Sequence, residues 1–180
     1  AMFAGTIMAI YEKDIKRLLA HSSVAQIGYI TLAFAIGTKA SVAAGFIHMF
    51  NHAIIKGGLF IAITSLGFFI QKRVTINNLS GLGRAMPITF FCFVLCSLSL
   101  AGLPLTAGFI SKLYLIKATI SSDAIWIAIL ILISSALSVV YLWKMIEVMW
   151  IREGKRILIK EKPTIYISLI IITFFNVYFG

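Results

Sequence analysis

Two imidazoles and an amine recur at four-residue spacing in the segment His48-Met49-Phe50-Asn51-His52-Ala53-Ile54-Ile55-Lys56. On a helix, each such step stays on one face and rises about 6 Å. His48, His52 and Lys56 therefore form a row of groups that can take up and release protons. The row lies in an unbroken apolar stretch from Ser41 to Ile70, with Lys56 near its middle. If that stretch crosses a bilayer, Lys56 sits near the midplane, where an isolated charge costs at least about 3 kcal/mol on insertion scales. Ionisable groups so placed point to ion or proton movement. A structural alternative stands beside this reading: the histidines hydrogen-bond to neighbouring helices and Lys56 pairs with an acid outside the sequence. Gly57 and Gly58 follow directly, small enough to let another helix approach the amine or simply to pack in the ordinary membrane-helix manner.

A second amine, Lys112, lies in a stretch of about 34 residues from Met86 to Thr119. As one straight helix it would measure roughly 51 Å, well beyond a hydrocarbon core of roughly 30 Å. Something must bend or unwind. Gly102, Pro104 and Gly108 supply the means, because Pro104 has no amide proton and frees the carbonyl of Leu100, while the glycines tolerate distorted backbone. A helix break beside a lysine is what an ion path through a membrane requires. A plain proline kink with Lys112 reaching toward the interface is the competing reading.

The elements that must position these groups follow from composition. Of the 180 residues, 61% are apolar and 12% charged, and the mean hydropathy is +1.02. Soluble domains sit near half apolar and about a quarter charged, so this is a membrane composition. Six apolar stretches appear, approximately 1–11, 18–37, 41–70, 86–119, 124–151 and 164–180. The complete ones are continuous rather than alternating, which predicts an all-α polytopic bundle, not a barrel. Both ends of the chain fall inside apolar stretches, so it reads as a piece of a longer protein. If each stretch crosses once, eleven cations collect on one side: Lys13, Lys16, Arg17, Lys72, Arg73, Arg84, Arg152, Lys155, Arg156, Lys160 and Lys162. The opposite loops hold Lys39 and Asp123, with Lys117 nearby. The positive-inside rule then makes loops 12–17, 71–85 and 152–162 cytoplasmic, and it explains the formal charge of +10 without a nucleic-acid partner. Trp126, Trp143 and Trp150 fit interfacial belts, and Lys144 reaches an interface with Glu147 offered as partner.

Other chemistry finds no support. Cys92 and Cys96 lie at helical spacing in an apolar run with no second cluster to complete a metal site, so they read as packing residues, and no metal or cofactor is expected. No dinucleotide fingerprint, phosphate loop, haem motif or Ser-His-Asp arrangement occurs, and Ser80 to Gly83 (SGLG) reads as a turn. No catalytic residue is assigned.

Three segments carry a family resemblance: DIKRLLAHSSVAQIGYI (Asp14 to Ile30), HMFNHAIIKGGLF (His48 to Phe60), and LSGLGRAMP followed by SLAGLPLTAGFISKLYLI (Leu79 to Ile116). In this order they resemble the antiporter-like membrane subunits shared by Mrp-type multisubunit cation/proton antiporters and respiratory complex I, the proton-translocating NADH:quinone oxidoreductase. The motifs look most like the D-type component of the Mrp antiporter, with the N-type component of complex I close behind. The resemblance implies a fourteen-helix core with two inverted five-helix repeats, of which this chain would be the second repeat and the start of the last helix. It implies that Pro104 marks the break of the second broken helix, that Lys112 exchanges protons with the outer half-channel, and that His48, His52 and Lys56 link the central axis to it. One complex I subunit type carries Glu where this chain has Lys112, which argues against that type. The family's tyrosine in the LAYSS stretch is His21 here, a titratable group without an assigned role.

The expected function is a proton or monovalent-cation translocating subunit of a multisubunit antiporter in a bacterial inner membrane, partnered by other membrane subunits and performing no catalysis of its own. The alternatives are a proton-pumping subunit of complex I and a truncated homologue that only scaffolds a complex. The first repeat, with its Glu and Lys pair, is missing, so the chain alone is not expected to transport.

Overall fold

The bundle has an apolar core, with Leu18, Leu59, Leu66, Phe93 and Met145 fully buried. Unlike a soluble protein, it also buries serine, threonine, asparagine, histidine and lysine side chains while Phe46, Phe91, Trp126, Leu132 and Phe174 face outward. In lipid the outside is apolar, so polar groups that bond across helices turn inward. The computed structural model describes residues 1–70, 74–152 and 163–180. Of the cations assigned to the basic loops, Lys72, Arg73, Lys155, Arg156, Lys160 and Lys162 lie outside the described residues.

Eight α-helices are described, α1 (Met2–Tyr11), α2 (Ile15–Ile36), α3 (Lys39–Ile70), α4 (Leu82–Ala85), α5 (Pro87–Ala101), α6 (Ala107–Ile120), α7 (Ile125–Trp150) and α8 (Pro163–Tyr178), with a short 3-10 helix at Ile76–Leu79. Helices α2, α3 and α7 are each long and apolar enough to cross a membrane, and α1 and α8 are shorter apolar helices. The segment Ile76–Ala85 meets α5 at a bend of 118°. Between α5 and α6 the long stretch divides at residues 102–106.

Local chemistry sets the boundaries. The Asp14 side chain caps α2 by accepting from the backbone amides of Lys16 (3.0 Å) and Arg17 (3.2 Å). Gly37, with φ at 74°, ends α2 in the left-handed region that L side chains resist. The next turn of chain begins with a reciprocal cap in which Thr38 N–H donates to Ser41 Oγ (3.0 Å) and Ser41 N–H to Thr38 Oγ1 (3.1 Å). Helices α2 and α3 therefore form a tight antiparallel hairpin.

The ends of the bundle sort themselves by direct bonds. Ile15 N–H donates to the Val74 carbonyl and Ile76 N–H to that of Lys13, both at 3.0 Å, stitching the α1–α2 loop to the segment after α3. Gly81 N–H donates to the Val148 carbonyl (3.3 Å) and Arg84 Nη2 to that of Ile151 (3.4 Å), which places a cation at the negative end of α7. Loop residues 12–17 and 74–84 thus share one end with the last turn of α7. In the SGLG turn Gly81 has φ at 72°, and a Cβ on Gly83 would stand 2.9 Å from the Met149 carbonyl oxygen. At that end Trp150 stacks on Phe90, with ring centroids 5.0 Å apart. Glu147 pairs with Arg152 at 3.7 Å rather than with Lys144, because the carboxylate lies at the helix end where the arginine leaves the last turn.

Helix α3 is the axis, packing against α2, α5, α6 and α8. Gly58 is where α3 meets α5 and α8, since a Cβ there would approach Cys96 Sγ at 2.7 Å and Ile172 at 3.2 Å. A Cβ on Gly57 would meet nothing within 4 Å among the described residues, so the close approach seen here uses the second glycine. Helices α1 and α2 are closer still. A Cβ on Gly5 would lie 2.6 Å from the Ala25 amide nitrogen and 2.7 Å from the His21 carbonyl oxygen, backbone atoms that cannot swing aside. Replacing Gly5 by Ala in the full-length subunit should therefore cost about 1–3 kcal/mol through overpacking. Thermal unfolding of the purified assembly would read this as a lowered midpoint; an unchanged midpoint would contradict the contact.

Candidate functional site

A helix interrupted inside a membrane leaves its last four carbonyls without amide partners, and each must find a donor. At the end of α5 the four are fully accounted for. Gly102, with φ at 92°, turns the chain so that its N–H reaches the carbonyls of Leu98 (3.0 Å) and Ser99 (2.9 Å), and Leu103 N–H also reaches Leu98 (3.0 Å). The two remaining carbonyls, Leu100 and Ala101, accept from Lys112 Nζ at 2.8 and 3.1 Å. Gly102 is the residue that stops the helix, and Pro104 falls two residues beyond it, where no amide is needed. Leu105 completes the turn with φ at 68°.

The far side of the break is bound as tightly. Gly108 N–H, in the first turn of α6, donates to Ser99 Oγ (3.0 Å), and the same hydroxyl donates to Asn176 Oδ1 on α8 (2.7 Å). A Cβ on Gly108 would collide with the Ser99 carbonyl. Asn51 on α3 donates to the Ala107 carbonyl at 2.8 Å. The break is thus held by α3, α5 and α8 together.

Lys112 is 5% exposed and Lys56 6%, so both amines are out of water. Among the described residues neither meets a carboxylate. Lys56 Nζ donates to the Leu19 carbonyl (2.8 Å) and to the Ser22 hydroxyl on α2. Lys112 Nζ also lies over the Tyr29 ring, 5.4 Å from its centroid. His48 stands between the two amines. Its Nδ1 is 2.8 Å from Ser111 Oγ on α6, its Nε2 is 3.1 Å from Gln26 Oε1 on α2, and its ring meets Tyr29 edge-on at 5.6 Å. Ser111 Oγ in turn donates to the Gly108 carbonyl (3.1 Å), so both His48 ring nitrogens and the serine hydroxyl have protein partners. These contacts make α3 and α6 antiparallel, so Lys39 and Ile120 share the end opposite the basic loops. His52 is half-buried on the same face of α3, and its buried Nδ1 bonds to no protein group among the described residues.

Of the residues singled out in the sequence, the structure brings His48 and Lys112 to the break and gives Lys56 its own partners on α2. His21 lies apart at the basic end, 3.7 Å from Glu12. There the backbone amides of Asp14 and Lys13 hold the Glu12 carboxyl below its ordinary value. Sequence reasoning missed Ser22, Gln26 and Tyr29, whose spacing of four and then three residues is itself a polar stripe on one face of α2. It also missed Asn51, Ser99, Ser111 and Asn176. An asparagine near the end of an apolar helix was the available signal for the last.

The match to known proteins is extensive. The family model described as NADH:quinone oxidoreductase/Mrp antiporter, TM, matches residues 1–138. Subunit N of the F(420)H(2) dehydrogenase of Methanosarcina mazei is 35% identical over 164 residues, covering 86% of this chain and 33% of that protein. Subunit N of the NADH-quinone oxidoreductase of Desulforudis audaxviator is 40% identical over 144 residues, covering 79% and 28%. Among solved structures, a chain of the archaeal membrane-bound sulfane sulfur reductase superposes with a TM-score of 0.88 at 32% identity, over 97% of this chain and 35% of that one. A chain of the Mrp complex from Dietzia gives 0.79 at 29% identity, over 89% and 30%. The chain spans about a third of the length of the curated relatives it matches.

Because Ser99 both donates to Asn176 and accepts from Gly108, replacing it by Ala leaves two buried polar groups unpaired, at about 1–3 kcal/mol each. Ser99→Ala in the full-length subunit should lower the unfolding midpoint clearly, and Ser99→Ala with Asn176→Leu should cost less than the two single losses combined. Strict additivity in that cycle would mean the two side chains do not share a bond.

Proposed function

We propose, given that the chain belongs to the NADH:quinone oxidoreductase/Mrp antiporter transmembrane family, that it is part of a proton or monovalent-cation translocating subunit of a multisubunit membrane complex, with protons moving through Lys56, His52, His48 and Lys112. The observation that carries this reading is the pair of buried amines held only by carbonyls, a hydroxyl and an aromatic face. A fixed structural cation in low dielectric is ordinarily matched by a carboxylate, because an unpaired charge there is costly. An amine given acceptors but no counter-charge can hold its proton in one state and lose it when neighbouring charge changes. Each of the two amines has a different helix partner, so loading one and discharging the other need not move the same contact. His48 and His52 lie on α3 between Lys112 and Lys56 and supply the intermediate stations.

Two drives fit one path. Exchange against sodium is the antiporter form, and electron transfer in partner subunits is the form of the quinone oxidoreductases. The curated relatives at 35% and 40% identity are N subunits of electron-transfer complexes, which favours the second form. The membrane is proposed to be a bacterial inner membrane, with loops 12–17, 71–85 and 152–162 cytoplasmic. The support is the positive-inside rule and the direct bonding of residues 12–17 and 74–84 to one another and to the end of α7.

The test is made in the full-length subunit within its complex. Lys112→Ala should abolish proton transport while assembly persists, and Lys112→Arg should also fail because arginine holds its proton throughout. Normal transport in vesicles by either assembled variant would overturn the assigned role. For topology, cysteines placed at Lys39 and Asp123 should react with an impermeant thiol reagent in intact cells, and a cysteine at Arg84 should not. The reverse pattern would invert the map.

A further inference from the structure

A groove of about 600 Å³ runs along the outside of the bundle between α5 and α8. Sites that hold a single small ligand measure about 300–1,000 Å³. The walls are apolar: Ile88, Phe91 and Leu95 of α5 recur at helical spacing and face Ile170, Phe174 and Val177 of α8. Cys92 and Thr173, both buried, form the floor, and Phe91 and Phe174, each 63% exposed, stand at the rim.

Two contacts fix how the groove lies in the membrane. Thr173 Oγ1 is 3.9 Å from Cys96 Sγ, and Ser99 Oγ donates to Asn176 Oδ1, so each α8 residue is level with the α5 residue 77 positions earlier. The two helices are therefore parallel, and both start at the end that carries residues 12–17 and 74–84. Trp150, stacked on Phe90 and 44% exposed, marks the membrane interface at that end. The lining begins at Pro87, close to this aromatic pair, and stops at Val177, level with Leu100. The rise between them is about 20 Å. Half of a hydrocarbon core roughly 30 Å thick is about 15 Å, so the groove is one leaflet deep, counted from the interface.

Depth and lining together select the occupant. A helix that crosses the membrane would need a face along the whole core, and close helix docking uses small residues. This groove ends near the midplane, and its walls are bulky. A flexible acyl chain of one leaflet matches both properties. At the mouth stands Arg84, exposed and three residues before Pro87, hence within about 10 Å of it. One of its N–H groups goes to the Ile151 carbonyl, and a guanidinium has others to offer the oxygens of a phosphate. We propose that the groove between α5 and α8 is a phospholipid site, with one acyl chain lying between the helices and the headgroup phosphate on Arg84. Surrounding lipid tails are as apolar as the groove, so burying the chain contributes little by itself. The lipid is held by close packing and above all by the bonds from arginine to phosphate. It fills the space between the same two helices that Ser99 and Asn176 join beside the break, and so supports α8 from the basic end.

The test uses the full-length subunit in its complex, with photoreactive benzoylphenylalanine placed at Ile170 or, in a separate preparation, at the similarly exposed Val140 on α7. After extraction in detergent and illumination, the adduct at Ile170 should carry the mass of a phospholipid. Its yield should exceed that at Val140 about tenfold, because detergent replaces loosely held lipid, and Arg84→Ala should lower it by a similar factor. Leu95→Trp, which fills the groove, should abolish it. A polypeptide adduct at Ile170 would show that a helix covers the groove and would overturn the proposal. Equal lipid yields at Ile170 and Val140, or an Ile170 yield unchanged in Arg84→Ala, would mean a passing lipid in place of a seated one and would overturn it as well.

Discussion

The organisation of this bundle depends on one exchange of hydrogen bonds. An interrupted helix needs donors for its last carbonyls, and a lysine without a counter-ion needs acceptors. Lys112 and the end of α5 meet both needs at once, with the amine on Leu100 and Ala101. Neither partner would be tolerable alone in a low-dielectric interior. The break is therefore no defect in a long helix, and the lysine is no stray charge.

The remaining packing protects that exchange. Helix α3 holds the α6 side of the break, with Asn51 on the Ala107 carbonyl and His48 on Ser111. Ser99 binds α5 to α6 and α8 through one hydroxyl. Because the side-chain bonds of Lys112, Ser99, Asn51 and His48 near the break each join two helices, displacing any one helix would unpair groups on another. Such sharing makes a polar network rigid when complete and expensive when incomplete.

Much of this was legible in the sequence, for identifiable reasons. Lys56 and Lys112 stood out because lysine in an apolar run is rare, and the division of residues 86–119 followed from length against bilayer thickness. That residues 12–17 and Arg84 share one end could be read because charge is excluded from the hydrocarbon. What was not legible is direction around the helix axis. His52 shares the spacing of His48 and Lys56, yet its buried Nδ1 bonds to no protein group among the described residues, because spacing fixes the face of a helix and not which neighbour each position on it meets. Serines were silent for another reason. In a membrane helix a serine usually returns its hydroxyl to its own backbone, as Ser22 and Ser23 both do to Leu19, and only packing shows that Ser22 also receives an amine and that Ser99 bonds across helices instead. The choice of Gly102 over Pro104 as the helix stop likewise depends on a positive φ that sequence can only suggest.

The bond from Ser99 to Asn176 spans 77 residues of chain and joins the break to the last described helix. Synthesis delivers α5 and α6 to the membrane well before α8. Until α8 arrives, the Ser99 hydroxyl lacks its acceptor and the two halves of the broken helix are held on one flank only. Completion of the charge-bearing centre thus waits for α8, and a chain arrested before α8 would carry both lysines into the bilayer without the finished geometry that restrains them.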